Sequence, residues 1–570
     1  THISPPTPAP LSDVVTMLPI TRMYSVWEQG ANLLRTPDGQ PVSYEQVSSE
    51  QDAWVTLVVG PMGSGKSSHM NSLNLGFLLE PSSSEHLPML RGIDFGYSSK
   101  GVVDIIRASL PKNQQYRARY IQMKNDVKFA KNVFDTLLGC RHPMPNQKSF
   151  LNNFLQTAAF SMKDYPSLSG LCALVVDQAY KKYSDKDHNP DAKRYSGGTS
   201  EQVDAYFNEL GTVMTDGHRS WWSVVDELYA AGETHLSALA QRYAVPTLED
   251  IVSITMSATV IADYQETYSG QPVTEMFQRA IRECIDELPI YRSVTQFDIS
   301  QSEVIMLDLA HVVPNNGDDS VQQKSVKGLI YMVAMQILSA DFFVDDSYLS
   351  FIDADYKPYH AARFKKLSTL KKRFHVDERH RIKGVPAAED QLDQMITEGR
   401  KFNVDIIQGT TMFINFSKAV QELATTIVFC GAGSKTEVEA LATHYGLNDT
   451  QASVLGKLRG PIPNVGAPAL FCFKTKTGGT QFMHLVNTEG PIMLCALATG
   501  ASERYVREQL HIQCSNIIKA RNLFATAFPS GSVKNEVKRR QELMSDGIYV
   551  SKAGNILDDI IDELMTGTFH

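Results

Sequence analysis

The stretch "VVGPMGSGKSSHM" (residues 58–70) decides how the chain is read. An apolar strand ending at Val59 runs into a glycine-rich loop, and the loop runs into the first turn of a helix. Gly60-x4-Gly65-Lys66-Ser67 fits the pattern G-x-x-x-x-G-K-[ST] in the strand–loop–helix setting that the pattern requires. Each residue type has a reason. Glycines let backbone N–H groups converge on phosphate oxygens with no Cβ in the way, and the helix N-terminus adds a favourable dipole. The Lys66 ammonium suits the β- and γ-phosphates, and the Ser67 hydroxyl suits Mg²⁺. A glycine-rich turn arising by chance is the bland alternative; the flanking strand and helix weigh against it. The loop predicts a bound nucleotide.

Size and composition bound what the rest of the chain can be. At 570 residues it can bury several cores, so two to four domains are expected. A hydrophobic fraction of 43% and a charged fraction of 21% are ordinary for globular proteins and argue against disorder. The net charge of −9 gives no global attraction to nucleic acid or anionic membrane, so any such contact must be local. Seven scattered cysteines without C-x-x-C spacing point to a reducing compartment, with neither disulfides nor zinc. The longest apolar run, "PIMLCALATG" (491–500), is far short of the ~18 residues of a membrane helix. No secretion signal is visible, and the expectation is a cytoplasmic protein. The start at Thr1, in "THISPPTPAP", suggests a piece of a longer parent.

Along the chain, "LLRTPDGQPVSYEQV" (33–47) reads as a hairpin turning at Asp38-Gly39. "WVTLVV" (54–59), "MLRGIDFG" (89–96) and "YRARYIQM" (116–123) read as strands and "SSHMNSLNLGFLL" (67–79) as a helix, the opening of an α/β fold with a parallel sheet. From about 126 to 290 the apolar spacing becomes helical, interrupted by a polar loop at 184–200 that is expected to be mobile. Strands return at 303–310, 373–378, 402–409 and 425–431, and "ALFCFKTKTGGTQFMHLV" (469–486) is a hairpin turning at Gly478-Gly479. The tail holds a basic helix, "VKNEVKRRQELM", and an acidic one, "NILDDIIDELM". The tail is either a docking element or a bundle packed on its own domain.

A phosphate loop needs a carboxylate partner at the end of an apolar strand, an Asp for Mg²⁺ and often a Glu for the attacking water. "VVDE" (224–227), "CIDE" (284–287) and "IIDE" (560–563) lie in helical periodicity, where acidic pairs belong to the solvated face. "VIMLD", ending at Asp308, is the most apolar strand; "RFHVDE" is less apolar but has both Asp377 and Glu378. Patterning alone leaves these two close to even. After "RFHVDE" the chain continues with a helix, "AAEDQLDQMITEGRKF", then the strand "NVDII" with Gln408, Thr410 and Thr411 at its end. In RecA-like ATPases the strand after the acidic one ends in a polar residue that senses the γ-phosphate. That order favours Asp377 and Glu378.

The phosphate loop, "IDFGYSSKG" (93–101), the helical insertion, "VIMLDLA", "HVDERHRI", "EGRKFNVDIIQGT" and "HYGLNDTQASVLGKL" (444–458) come in the order found in conjugation and type IV secretion ATPases. The chain resembles the large VirB-type members of this family, in the FtsK/HerA branch of RecA-like motors. "NVFDTLLGCRHPMPNQKSFLNNFL" (132–155) is similar to the subgroup serving Dot/Icm secretion and IncI-plasmid conjugation. The resemblance covers nearly the whole chain, as the C-terminal ATPase half of a longer protein.

It implies an α/β RecA-like P-loop NTPase core at 51–125 and 295–500 and an all-α insertion at 126–294. An N-terminal segment with its hairpin (1–50) and a helical tail (501–570) would flank these. It implies ATP held by Gly60, Pro61, Met62, Gly63, Ser64, Gly65, Lys66, Ser67 and Ser68, with Mg²⁺ through Ser67 and Asp377 and Glu378 as catalytic base. Asp94 would sit on the strand that in this branch lies beside the phosphate loop. Arg400 matches a family arginine that could reach a neighbouring subunit's γ-phosphate, or it is a cation complementing a helix C-terminus. Relatives carry Gln after Gly-Thr at the sensor position; this chain has Thr411 there and Gln408 earlier, so Gln408 is the candidate sensor.

Three functions are compatible with these expectations. The first is a hexameric ATPase at the cytoplasmic base of a type IV secretion or conjugation system, peripheral at the inner membrane. Its partners would be other secretion ATPases, inner-membrane components and a protein or nucleoprotein substrate. The second is an FtsK/HerA-like or coupling-protein DNA translocase, for which "RFKKLSTLKKRF" (363–374) is the basic cluster. The third is a scaffold that binds ATP with little turnover.

Overall fold

The computed structural model describes residues 10–11, 25–80, 86–186, 189–211, 219–297, 299–314, 320–477, 479–514 and 516–569. In chain order the strands are β1 (Asn32–Arg35), β2 (Pro41–Tyr44), β3 (Val55–Val59), β4 (Met89–Asp94), β5 (Ala118–Gln122), β6 (Thr267–Tyr268), β7 (Gln271–Pro272), β8 (Val304–Asp308), β9 (Lys372–Val376), β10 (Val404–Thr410), β11 (Thr426–Phe429), β12 (Ala467–Thr475) and β13 (Gly479–Asn487). The chain divides into two compact units. The first comprises Thr1–Ser82, Thr411–Phe413 and Ala424–His570, the second Ser83–Thr410 and Ile414–Leu423.

In the first unit the strands run β2-β1-β13-β12-β11-β3. All neighbours are antiparallel except β11 and β3, which pair in parallel from Thr426 opposite Thr56 to Phe429 opposite Val59. Every residue of β3 and β11 is buried, which is why both read as unbroken apolar runs instead of alternating ones. The hairpin β1–β2 turns at Gly39, whose φ of +93° suits a residue without Cβ. It also steadies the helix Lys66–Leu79. Asn32 Nδ2 donates to the Ser72 carbonyl at 3.0 Å and Gln46 Nε2 to the Leu73 carbonyl at 2.7 Å, and a Cβ on Gly76 would overlap Asn32. The helices between Pro491 and Thr566 share their own core of Val506, Leu510, Phe524, Phe528, Ile560 and Leu564. The acidic helix at 556–566 thus spends its apolar face on that bundle. Gly478, half of the expected hairpin turn, lies outside the described residues.

In the second unit β10-β9-β4-β8-β5 form an all-parallel set. Helices connect them, as parallel strands require. The segment expected to be all-helical contains one interruption, the short antiparallel pair β6–β7. The polar loop at 184–200 is less free than its composition suggests. Lys193 Nζ pairs with Asp250 at 2.6 Å, and the Asn189 amide donates to the carbonyls of Lys181, Lys182 and Ser184. A strand has two edges, and β4 offers one to β9 and the other to β8.

Candidate functional site

The first unit carries the phosphate loop. Gly60 follows β3 without a side chain because a Cβ there would lie 2.3 Å from Ser64 Oγ and 2.9 Å from Cys430 Cβ. Gly63 and Gly65 take φ of +77° and +91°, a region that L side chains enter at a cost. Gly65 is also the N-cap of the helix Lys66–Leu79, so no side chain caps that helix end. The N–H groups of its first turn have no acceptor inside the helix. Ser64 is buried and its hydroxyl has no hydrogen-bond partner; Lys66 is 7% exposed. A loop at 460–466 braces the phosphate loop from outside, with Gly460 set too close to the Gly63 carbonyl to admit a Cβ. Behind the loop, burial pushes the Cys430 thiol up to about 12, so it is a filler and not a nucleophile. Donors without acceptors and a buried ammonium are what a phosphate chain requires.

The second unit presents a row of polar side chains at the carboxyl ends of its strands. The register sets Ile93 opposite Val376, Asp94 opposite Asp308, Asp308 opposite Gln122, and Gln408 opposite Val376. Asp377 directly follows β9, and so falls level with Asp94. Carboxyl ends of parallel strands are where open α/β sheets bind ligands. Three aspartates here are 4% exposed or less.

Their partners separate them. Asp308 accepts from the backbone N–H of Gly96 (3.1 Å) and Ala310 (3.0 Å) and from Gln122 Nε2 (3.4 Å), so it fastens the loops. Asp94 accepts from the N–H of Phe95 (2.8 Å) and Ser99 (2.9 Å) and from Tyr120 (3.0 Å). Asp377 accepts from the Glu378 N–H at 2.9 Å. Ser98 Oγ touches both Asp94 and Asp377, the latter at 2.7 Å. One hydroxyl hydrogen serves only one carboxylate at a time, so a proton on Asp94 would complete this chain below about pH 6. Burial, and then the charge of Asp377, raise the Asp94 carboxyl to about 6, in agreement. His375, buried against Ser99 Oγ at 3.3 Å, is pushed down to about 4 by desolvation and stays neutral.

Glu378 stands in the left-handed region at φ +57°, a strained conformation for a residue with a Cβ. Its Oε2 lies 3.2 Å from His380 Nδ1. Gln408 is wholly buried, and both ends of its amide are without a hydrogen-bond partner. A buried carboxamide in that state costs free energy unless something comes to meet it. Arg400 sits before the first residue of β10, at the opposite end of that strand from Gln408, and is exposed. Four to five strand residues, about 13–17 Å at ~3.3 Å each, lie between the start of β10 and the level of the acidic row, and Arg400 precedes that start.

The basic run at 363–374 is largely consumed by the fold. Arg363 pairs with Asp341, Arg373 pairs with Asp405, and the buried Lys372 donates to the Phe342 carbonyl at 3.1 Å. Lys365 and Lys366 are its exposed cations.

Sequence reading missed Asp308 as a loop anchor and the Asp94–Ser98–Asp377 chain. A signal was present: "GID", "YIQ", "MLD", "HVD" and "IIQ" each end an apolar strand in Asp or Gln. Only the register shows that these ends form one row.

No protein-family model and no curated protein matches the sequence. Among solved structures the chain is similar to VirB4 of Thermoanaerobacter pseudethanolicus, at 15% identity and a TM-score of 0.50, over 83% of this chain and 100% of that one. It is also matched with the cytoplasmic domain of the type VII secretion ATPase EccC of Thermomonospora curvata, at 11% identity and a TM-score of 0.17, over 86% of this chain and 66% of that one. The VirB4 likeness is one of fold, an α/β P-loop ATPase fold with a parallel-rich sheet and many helices.

Proposed function

We propose that the chain is an ATP-hydrolysing motor of a type IV secretion or conjugation system. The observation that carries the reading is the phosphate loop: a glycine-shaped turn on an uncapped helix start, with Lys66 buried and the Ser64 hydroxyl unpartnered. The backbone N–H groups from Gly60 to Ser68 hold the phosphates, and Lys66 offsets charge on the β- and γ-phosphates as the bond to the γ-phosphorus breaks. Ser67 and Asp377 are the residues that would hold Mg²⁺. An ion that keeps most of its waters and binds phosphate oxygens needs no more protein ligands than that. When bound, it neutralises charge on the phosphates. Glu378 takes the proton of the attacking water, and the Gln408 amide reports the γ-phosphate. Arg400, remote from its own carboxylates, acts on a neighbouring subunit's nucleotide in a homo-hexamer.

Segment 132–155 supports the finer placement beside the Dot/Icm ATPase DotO (IcmB) and the IncI conjugation protein TraU. Partners would then be companion secretion ATPases and inner-membrane components, with a protein or nucleoprotein substrate and a peripheral site at the inner membrane. No described helix is long and apolar enough to cross a membrane. The DNA-translocase reading leans on the basic run, three of whose six cations, Arg363, Lys372 and Arg373, are already engaged within the fold.

The test is steady-state phosphate release with Mg-ATP. Turnover in the wild type that disappears in both Lys66→Ala and Glu378→Gln supports the motor. Nucleotide binding without turnover in the wild type would leave a scaffold instead.

A further inference from the structure

The helix Pro145–Ala158 of the insertion and the helix Pro386–Glu398 both pack on the long helix Val321–Ser339. Between them, wholly within the second unit, runs a groove of about 520 Å³ with the long helix as its floor. The helix Pro386–Glu398 turns Asp390, Gln391, Gln394, Met395 and Glu398 into it, at the spacing of one helix face. A face at that spacing is ordinarily an apolar seam that closes on its neighbour. Here it is polar, and the groove stays open.

Carboxamides dominate the lining. There are seven, among them Asn153 and Gln156 on the opposite wall and Gln336 on the floor, too many to be incidental to one surface. Their bonds within the chain are long where they occur: Gln391 Nε2 donates to the Met332 carbonyl at 3.4 Å and Gln156 Nε2 to the Asn152 carbonyl at 3.3 Å. Gln391 Oε1 is buried with no donor. A carboxamide carries a donor and an acceptor side by side, as a peptide group does, so a row of them matches a main chain with unpaired N–H and C=O groups. A helical ligand has used those groups internally; an extended one has not.

The charge in the groove is one-sided. Asp390 and Glu398 line it, both exposed, and among the described lining residues there is no Lys, Arg or His. Eight residues of helix set these carboxylates about 12 Å apart at ~1.5 Å per residue, the length of about four residues of strand. Strand residues four apart point to the same side. Phe150, Phe343 and Met395 offer apolar contact to side chains in between.

We propose that this groove binds an extended basic segment of a partner protein, its main chain on the carboxamides and two cations four residues apart on Asp390 and Glu398. The proposal goes beyond the motor reading and stands without it, since no nucleotide takes part.

The experiment is fluorescence anisotropy of the chain with a labelled peptide of alternating valine and threonine that carries two lysines four positions apart. Saturable binding with a Kd below about a millimolar is expected. A peptide with glutamates for the lysines, a peptide N-methylated along its main chain, and the double variant Asp390→Asn with Glu398→Gln should each bind at least about fivefold more weakly. Both substituted residues are exposed, so the double variant should keep the wild-type melting temperature. No saturation by about a millimolar, or a smaller loss in the double variant or with the N-methylated peptide, would overturn the proposal. Self-association of the wild type in sedimentation that the double variant abolishes would also overturn it, and would give the groove to a second copy of the chain. Mg-ATP turnover is untouched by each of these outcomes, so failure here is distinct from failure of the motor reading.

Discussion

The phosphate loop and the acidic row reach chemical competence by opposite routes. In the loop, nine consecutive residues and the helix that continues from them would act, on the proposed reading, through main-chain N–H groups, and side chains matter mostly where they are absent, at Gly60, Gly63 and Gly65. In the row, Asp94, Asp308, Asp377 and Gln408 come from four strands spread over more than 300 residues, and they meet because five parallel strands stop in register. A local device tolerates little change of residue type within it. A distributed one depends on packing far from the site and shares protons among its members.

The hardest attempt to break this comparison is to remove one charge from each half. Lys66→Ala and Glu378→Gln should each lower ATP turnover by roughly a hundredfold or more, measured as phosphate release, with thermal stability kept close to the wild type. If only one of them does so, the two regions do not serve one reaction.

A second prediction isolates the proton in the row. The Asp94 carboxyl is raised from its ordinary 3.8 to about 6 in the fold, so its contribution to stability is fully present below pH 4 and is lost as pH rises through 6. Its neighbour His375, lowered to about 4, acts in the opposite sense over the same range, which makes a difference measurement necessary. The stability of Asp94→Asn minus that of the wild type, from denaturant melts without nucleotide, should rise by on the order of 2–3 kcal/mol between pH 4 and pH 7. A flat difference would remove the proton from the Asp94–Ser98–Asp377 chain.

Backbone strain gives a contrast of sign. Gly65→Ala forces a Cβ into φ +91° and towards Pro461 at 3.2 Å, so a loss of about 1–2 kcal/mol is expected along with weaker nucleotide binding. Glu378→Gly relieves a left-handed residue at φ +57° and should hold or raise the unfolding free energy, by up to about 1 kcal/mol, while turnover disappears. A Glu378→Gly variant that is clearly destabilised would show that the carboxylate, and not the strain, dominates there. The smallest effect belongs to the surface: Lys365→Glu with Lys366→Glu should change ATP turnover less than about twofold. A larger change, or one that appears only with DNA present, would revive the translocase reading.

Legibility in the sequence divides along the same line. β3, the loop and the helix Lys66–Leu79 are readable residue by residue, since strand burial, glycine placement and the helix start are all local. The ends of β9 and β10 are readable as candidates, Asp377, Glu378 and Gln408 among them. Patterning alone leaves Asp308 and Asp377 nearly even, and the order of the following elements favours Asp377; in the fold Asp308 accepts from the Gly96 and Ala310 N–H groups. That β4 pairs with β9 and β8 is not legible, because strand order is set by which edges pair, and a sequence does not display edges. The anchoring of 184–200 is hidden for a related reason: Lys193 finds Asp250 only once the helices are packed.

By itself, then, the sequence determined a phosphate cradle, an α/β alternation and a helical insertion, all of which depend on spacings within some fifteen residues. Tertiary structure alone decided that Ser98 touches both Asp94 and Asp377, and that Arg400 stands at the opposite end of β10 from Gln408. The physical reason is the same each time. Hydrogen-bond register and burial are relations between distant segments, and they acquire values only when the chain has closed on itself.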